Sequence, residues 1–197
     1  MSDTRAVPRP SRAGRWISLA LVLAALALPR LAGAQSLRFR IQPEASEISF
    51  HATSRLMNAD GHFSRFSGEV MVDPAALTSG RITLSIDAAS LDTGIEMRDN
   101  HLRSSDFFDV ERFPTVAFQS LRIEAAGSRA TVVGRLTLHG VTREVAVPID
   151  AQITSTALVA SGEFIVNRGE YAIRYNSFVN PIGNEVRVAF TFRARVP

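Results

Sequence analysis

The chain has 197 residues, 46% of them hydrophobic, and its 22 basic residues are all arginine against 19 acidic ones, a formal net charge of +3. That excess sits at the start, where Arg5, Arg9, Arg12, Arg15 and Arg30 face Asp3 alone; from residue 35 onward 17 basic and 18 acidic residues leave −1, which removes the support for a nucleic-acid or polyanion partner. There is no cysteine, so disulfides and thiolate chemistry are excluded and the domain must hold by burial and hydrogen bonds alone.

In chain order, the first arginines lead into an apolar run from Trp16 to Leu28 and a small-residue Ala32-Gly33-Ala34 site. This is the pattern of a secretory signal peptide, residues 1–34, cut before Gln35. The apolar run has about 13 residues, short of the roughly 20 that a membrane-spanning helix needs, and Arg30 behind it weakens an uncleaved anchor. With no Arg-Arg pair and no lipoprotein cysteine, export is expected to leave a periplasmic protein, residues 35–197, with no stable membrane anchor. That length suits one domain with a sizeable core.

Alternation of apolar and polar residues then dominates. Strands are expected near 37–42, 46–53 and 65–73. In the next, Ile82, Leu84 and Ile86 share one face and Arg81, Thr83, Ser85 and Asp87 the other. The rhythm breaks from Thr93 to Ser105, where Ile95, Met97 and Leu102 fit one face of a short helix. Strands resume near 115–124, 129–138, 141–153 and 157–167, with Leu136 and Leu138 opposite Arg135 and Thr137, and turns at Ala126-Gly127-Ser128 and His139-Gly140. An irregular segment from Asn167 to Gly183 precedes a last strand that places Val186, Val188, Phe190 and Phe192 together. Nine or so strands with one wet and one apolar face need a shared interior, and an antiparallel sheet closed into a β-barrel supplies it without exposed edges.

A barrel of about eight strands is either filled by side chains or holds one small ligand. Of 12 phenylalanines, Phe50, Phe66, Phe118, Phe164, Phe190 and Phe192 fall on inward faces together with Gly68, Gly134 and Gly162, and large rings beside glycine gaps suit a chain-shaped apolar guest. Interdigitation in a dry core is the alternative. Between Met97 and Phe118 a charged helical stretch meets bulky rings: Arg98, Asp99, His101 and Arg103 suit a polar headgroup, with Phe107 and Phe108 over the tail. A surface ion pair with a helix-terminal histidine fits the same spacing. Asp106, Asp109 and Glu111 lack the glycine-centred pattern of a calcium loop. The four histidines, His51, His62, His101 and His139, show no zinc spacing, and there is no G-x-S-x-G elbow; no metal or cofactor is expected.

Four runs then coincide with one known family. Gly61-His62-Phe63-Ser64-Arg65-Phe66-Ser67-Gly68, Arg98 through Asp109, Phe113-Pro114-Thr115-Val116-Ala117-Phe118 and Gly134 through Thr142 resemble the YceI-like proteins, in the right order and over essentially the whole chain after the leader. The resemblance implies an extended lipocalin-like antiparallel β-barrel, usually dimeric and periplasmic, that binds polyisoprenoid or related long-chain amphiphiles, including isoprenoid quinones and prenyl or fatty-acyl lipids. It brings no catalytic residues. Tyr171-Ala172-Ile173 stands where many members have Tyr-Gly-Ile. The expected ligand-facing set is Phe50, Phe66, Ile86, Met97, Arg98, His101, Leu102, Phe107, Phe108, Phe118, Phe164, Phe190 and Phe192. The expected function is a homodimeric lipid carrier making transient membrane contact. An enzyme or redox accessory acting on an isoprenoid quinone through His101 or Asp99 is the alternative, and a filled barrel used as an interaction module is a third.

Overall fold

The structure, a computed structural model, describes residues 36–175 and 177–197; the leader expected over residues 1–34 lies outside them. Eight strands close a barrel: β1 (Leu37–Ile41), β4 (Phe66–Asp73), β5 (Ala76–Asp87), β7 (Thr115–Ala126), β8 (Arg129–Leu138), β9 (Val141–Ile153), β10 (Ala157–Asn167) and β11 (Ile182–Arg195). All neighbours are antiparallel, and β11 returns to β1 through Arg40–Arg195 and Ile41–Ala194. Three further strands extend one end, with β2 (Glu47–Ser54) on β11, β3 (Ala59–Phe63) on β2 and β6 (Leu91–Asp92) on β3. β11 serves both neighbours because its 14 residues extend about 46 Å at ~3.3 Å per residue.

The alternation read from sequence places the faces. Ile82, Leu84, Ile86, Leu136, Leu138, Val186, Val188, Phe190 and Phe192 all face the interior, and Arg135 is exposed on the outer side. β3 and β6 had no counterpart in the sequence reading. Gly61-His62 dilutes the apolar pattern of β3, and a two-residue strand has too few positions for any period to show.

Two local features shape the wall. Between Ser120 and Arg122 the β7–β8 register shifts by a bulge, and the Ser120 hydroxyl accepts the Ile82 N–H at 2.8 Å, which replaces a ladder bond between β5 and β7. The β9–β10 pairing ends at Ile149–Gly162, next to Pro148, which has no N–H to donate. Beyond it the one-turn 3₁₀ segment Arg168–Tyr171 covers the wall, with Arg143 Nε donating to the Glu170 carbonyl at 3.4 Å.

The single α-helix among the described residues, α1 (Glu96–Arg103), is shorter than the expected 93–105. The Asp99 carboxylate accepts from the Thr93 N–H at 2.9 Å and the Thr93 hydroxyl at 2.5 Å, and this anion near the helix start suits the macrodipole. At the other end Arg103 donates to the carbonyls of Ala89 and Leu91 at 3.0 and 2.6 Å, fastening α1 to β6. The β8–β9 hairpin turns through His139 and Gly140 with φ of 50° and 71°, the primed geometry that hairpins favour.

Candidate functional site

The barrel encloses a cavity of about 1150 Å³ that runs its full length. One end is ringed by the hairpins at Pro74-Ala75, Gly127-Ser128 and Thr154-Ser155; the other lies under α1, Phe107, Phe108 and Arg168, Ile173, Tyr175, Ser177 and Asn180. Between them the wall is hydrocarbon, supplied by inward positions of every barrel strand. A filled core would leave no such space, so the dry-barrel alternative does not describe this interior.

Of the residues expected to face a ligand, Phe50, Ile86, Arg98, His101, Leu102, Phe107, Phe108, Phe118, Phe164, Phe190 and Phe192 line the cavity. Two of the expected ligand-facing residues do not. Phe66 is buried beside the lumen, its ring edge-on to Phe192 at 6.0 Å, and belongs to the packed wall. Met97 is 82% exposed. The inward face of α1 is Arg98, His101 and Leu102, and at 3.6 residues per turn Met97 stands about a quarter-turn from its centre. Ile95 precedes the helix and is also exposed.

The glycine gaps read from sequence are occupied. A Cβ on Gly162 would stand 2.8 Å from Phe190 Cζ, and one on Gly134 would overlap the Phe118 ring; at Gly68 the neighbours are Ile41 and Leu84. The room that these glycines leave is taken by wall side chains, and the guest space lies further in.

Polar groups gather at the helix end. Arg98 donates through Nε to the Thr93 hydroxyl at 2.8 Å and through its Nη atoms to the carbonyls of Thr93 and Asn58 at 3.0 and 3.2 Å. Since that hydroxyl also donates to Asp99, one threonine joins cation to anion. His101 Nε2 lies 3.0 Å from Asp106 Oδ2, and its ring meets Phe107 and Tyr175 edge-on at 5.0 and 4.8 Å. Asp99 and Arg103 serve the fold at this end rather than the lumen, and neither lines the cavity.

Sequence reading missed Arg168. It is 6% exposed yet reaches the cavity, and it donates to four carbonyls, those of Ile173, Tyr175, Ile182 and Gly183, at 2.7–3.1 Å. Burial pushes its pKa down, although a guanidinium stays charged at neutral pH. Only Asp73, at the far end, brings a carboxylate to the lining among the described residues. The long irregular segment after Asn167 was the signal available, since an arginine at the start of a loop is the residue best able to collect its carbonyls.

A family model for the YceI-like domain matches residues 39–194. The chain belongs to the YceI-like family. A UPF0312 protein of Vibrio cholerae is 36% identical over 88 residues, 44% of this chain and 47% of that protein, and one of Pseudomonas aeruginosa is 38% identical over 87 residues, 44% and 46% of the two chains. The aligned stretch thus spans about half the length of these relatives. Among solved structures, Burkholderia cenocepacia BcnA has a TM-score of 0.72 at 26% identity, covering 78% of this chain and 98% of that one. A polyisoprenoid binding domain from Saccharophagus degradans, implicated in plant cell wall breakdown, scores 0.66 at 19% identity, covering 82% and 99%, and shares the fold. This YceI-like chain therefore has the barrel that its motifs implied.

Proposed function

We propose that this YceI-like protein is a periplasmic carrier that holds one long-chain amphiphile, a polyisoprenoid or a similar isoprenoid-quinone, prenyl or fatty-acyl lipid, inside its barrel. The observation that carries the reading is the cavity: about 1150 Å³ of apolar lumen along the barrel, larger than the ~300–1,000 Å³ of most small-molecule sites. Each buried methylene contributes ~0.8 kcal/mol, so a chain of about 15 carbons offers ~12 kcal/mol before ordering costs. The domain from Saccharophagus degradans described as polyisoprenoid-binding and the signal-peptide pattern of the leader support the same reading.

The amphiphile lies with its head at the helix end. There Arg98, His101 and Arg168 face the lumen, and the guanidinium N–H groups that Arg98 and Arg168 have left suit an oxygen-rich head by charge-assisted hydrogen bonds. Exposed Leu56, Met57, Phe178 and Val179 flank that end, on loops tied together by the Leu56 N–H to Asn180 Oδ1 at 2.8 Å. They serve transient contact with a membrane surface during loading. The carrier works as a homodimer and needs no cofactor beyond its lipid. A lumen whose length is hydrocarbon supports holding rather than transforming the ligand.

Native mass spectrometry of protein from its own periplasm, followed by extraction, is the test. The expected result is an unmodified long-chain lipid bound one per barrel. A mixture of lipid and reacted lipid would favour an enzyme, and a barrel that neither carries nor takes up any long-chain amphiphile would overturn the proposal.

A further inference from the structure

Three aromatic rings of the lumen lie on glycines of the neighbouring strand. Phe190 on β11 is directly opposite Gly162 on β10, and Phe50 on β2 is opposite Gly61 on β3. On β7, Phe118 lies two residues from Ser120, the partner of Gly134 on β8, so that pair meets diagonally. Added Cβ atoms would stand 2.8 Å from Phe190 Cζ at Gly162, 2.5 Å from Phe50 Cζ at Gly61 and 2.6 Å from Phe118 Cε2 at Gly134. Carbon atoms pack at about 3.5–4.0 Å, so none of these rings keeps its place beside any residue with a side chain.

We infer that Gly61, Gly134 and Gly162 set the width of the lumen, and so the cross-section of the chain it admits, by letting the rings of Phe50, Phe118 and Phe190 lie flat against the wall. This rests on the carrier reading and adds to it a selection by girth. A ring denied its glycine must change rotamer. The wall beneath it is close-packed, so it swings toward the guest. The pairs act at different levels. Gly134 and Gly162 gauge the barrel, while Gly61, packed under Thr93 and Asp92, gauges the helix end. A methyl-branched chain needs more width than a straight one at every branch point, so the gauges bear on branched chains first.

The probes are two neutral alcohols of equal main-chain length, one straight and saturated, one prenyl, titrated into the mature protein and the variants Gly162→Ala, Phe190→Leu and the double variant. Wild type is expected to bind both. Gly162→Ala should weaken the prenyl alcohol about tenfold more than the straight one, the scale of misfitting a methyl group, and Phe190→Leu in the same chain should restore it. Because the Pro148 carbonyl stands 2.5 Å from the added methyl, folding is checked by circular dichroism. If Gly162→Ala does not fold, Phe190→Leu alone must raise the prenyl-to-straight affinity ratio. Equal weakening of both alcohols by folded Gly162→Ala, no rescue by the double variant, or an unchanged ratio for Phe190→Leu overturns the gauge. Failure of wild type to bind either alcohol overturns the carrier reading, and the gauge with it.

Discussion

Arg168 should contribute more to stability than any other charged residue of this domain. Replacing it with methionine keeps most of the volume but removes donors from four carbonyls at 2.7–3.1 Å. Hydrogen bonds to charged groups are worth ~1.5–3 kcal/mol each, but they are not additive, and the variant no longer has to take a buried cation out of water, which recovers part of the loss. Each buried carbonyl left unsatisfied costs ~1–3 kcal/mol, and with four of them set against that recovery a net loss of ~3–5 kcal/mol is expected. At ~2–4 °C per kcal/mol for a domain of this size, the melting temperature should fall by roughly 6–20 °C. Circular-dichroism melts of wild type, Arg168→Met and Arg168→Lys provide the measurement, with lysine intermediate because its point charge reaches fewer acceptors than a planar fork. A drop of less than ~1 kcal/mol for Arg168→Met would mean that the loop carbonyls find water at no cost, and that the arginine is not the clamp its geometry suggests.

Alanine at both Arg98 and His101 should weaken phosphorylated or carboxylated amphiphiles while sparing a hydrocarbon alcohol of the same chain; equal loss for both in a binding titration would assign the pair to bracing the barrel end. In a series of prenyl alcohols of increasing length, affinity should rise until the lumen is full and then level off, since a tail outside the barrel buries nothing; a sharp optimum would show a closed cavity measured to one guest. The hydroxyl of Tyr171, buried with no hydrogen-bond partner among the described residues, makes Tyr171→Phe neutral or stabilising by up to ~1–2 kcal/mol, because an unsatisfied buried hydroxyl is removed; a loss on thermal melting would contradict this. The Arg65 guanidinium, 2.7 Å from Asp87 and hydrogen-bonded to it, holds that carboxyl below its ordinary pKa. Its contribution is therefore complete above the ordinary aspartate range of ~3.9 and is lost as pH falls through the lowered folded value. Because the pair is exposed the effect stays below ~1 kcal/mol, and Asp87→Asn should flatten that acid limb in pH-dependent denaturation.

The fold was legible because a barrel wall is written in the shortest period a chain can carry. Ile82, Leu84 and Ile86, or Val186 through Phe192, assign their faces from five or seven residues, and closure follows from the need to hide both the apolar face and the edges. The helix end was legible in composition and only partly in geometry. Arg98, His101 and Leu102 were identified, but the phase that excludes Met97 depends on where Thr93 and Asp99 start the helix, and that is a hydrogen bond rather than a pattern. Arg168 shows the same limit. Its partners are backbone carbonyls as far as 15 residues away, and carbonyls have no residue identity to read.

A hollow barrel has to explain why it does not collapse onto its own hydrophobic wall. Side chains that could fill the lumen are held back by two devices. Rings such as Phe118 and Phe190 are seated on glycines of the next strand, so their apolar area is already partly buried without crossing the lumen. At the helix end Arg98, Arg103 and Arg168 hold the covering segments through carbonyl after carbonyl, which fixes the loops at a set distance from the axis instead of letting them sink inward. Glycine is poor in strand interiors for reasons of entropy and lost packing, and buried arginine is costly without a carboxylate. Both choices weaken a filled barrel. Both make sense in one that keeps its interior free for a guest.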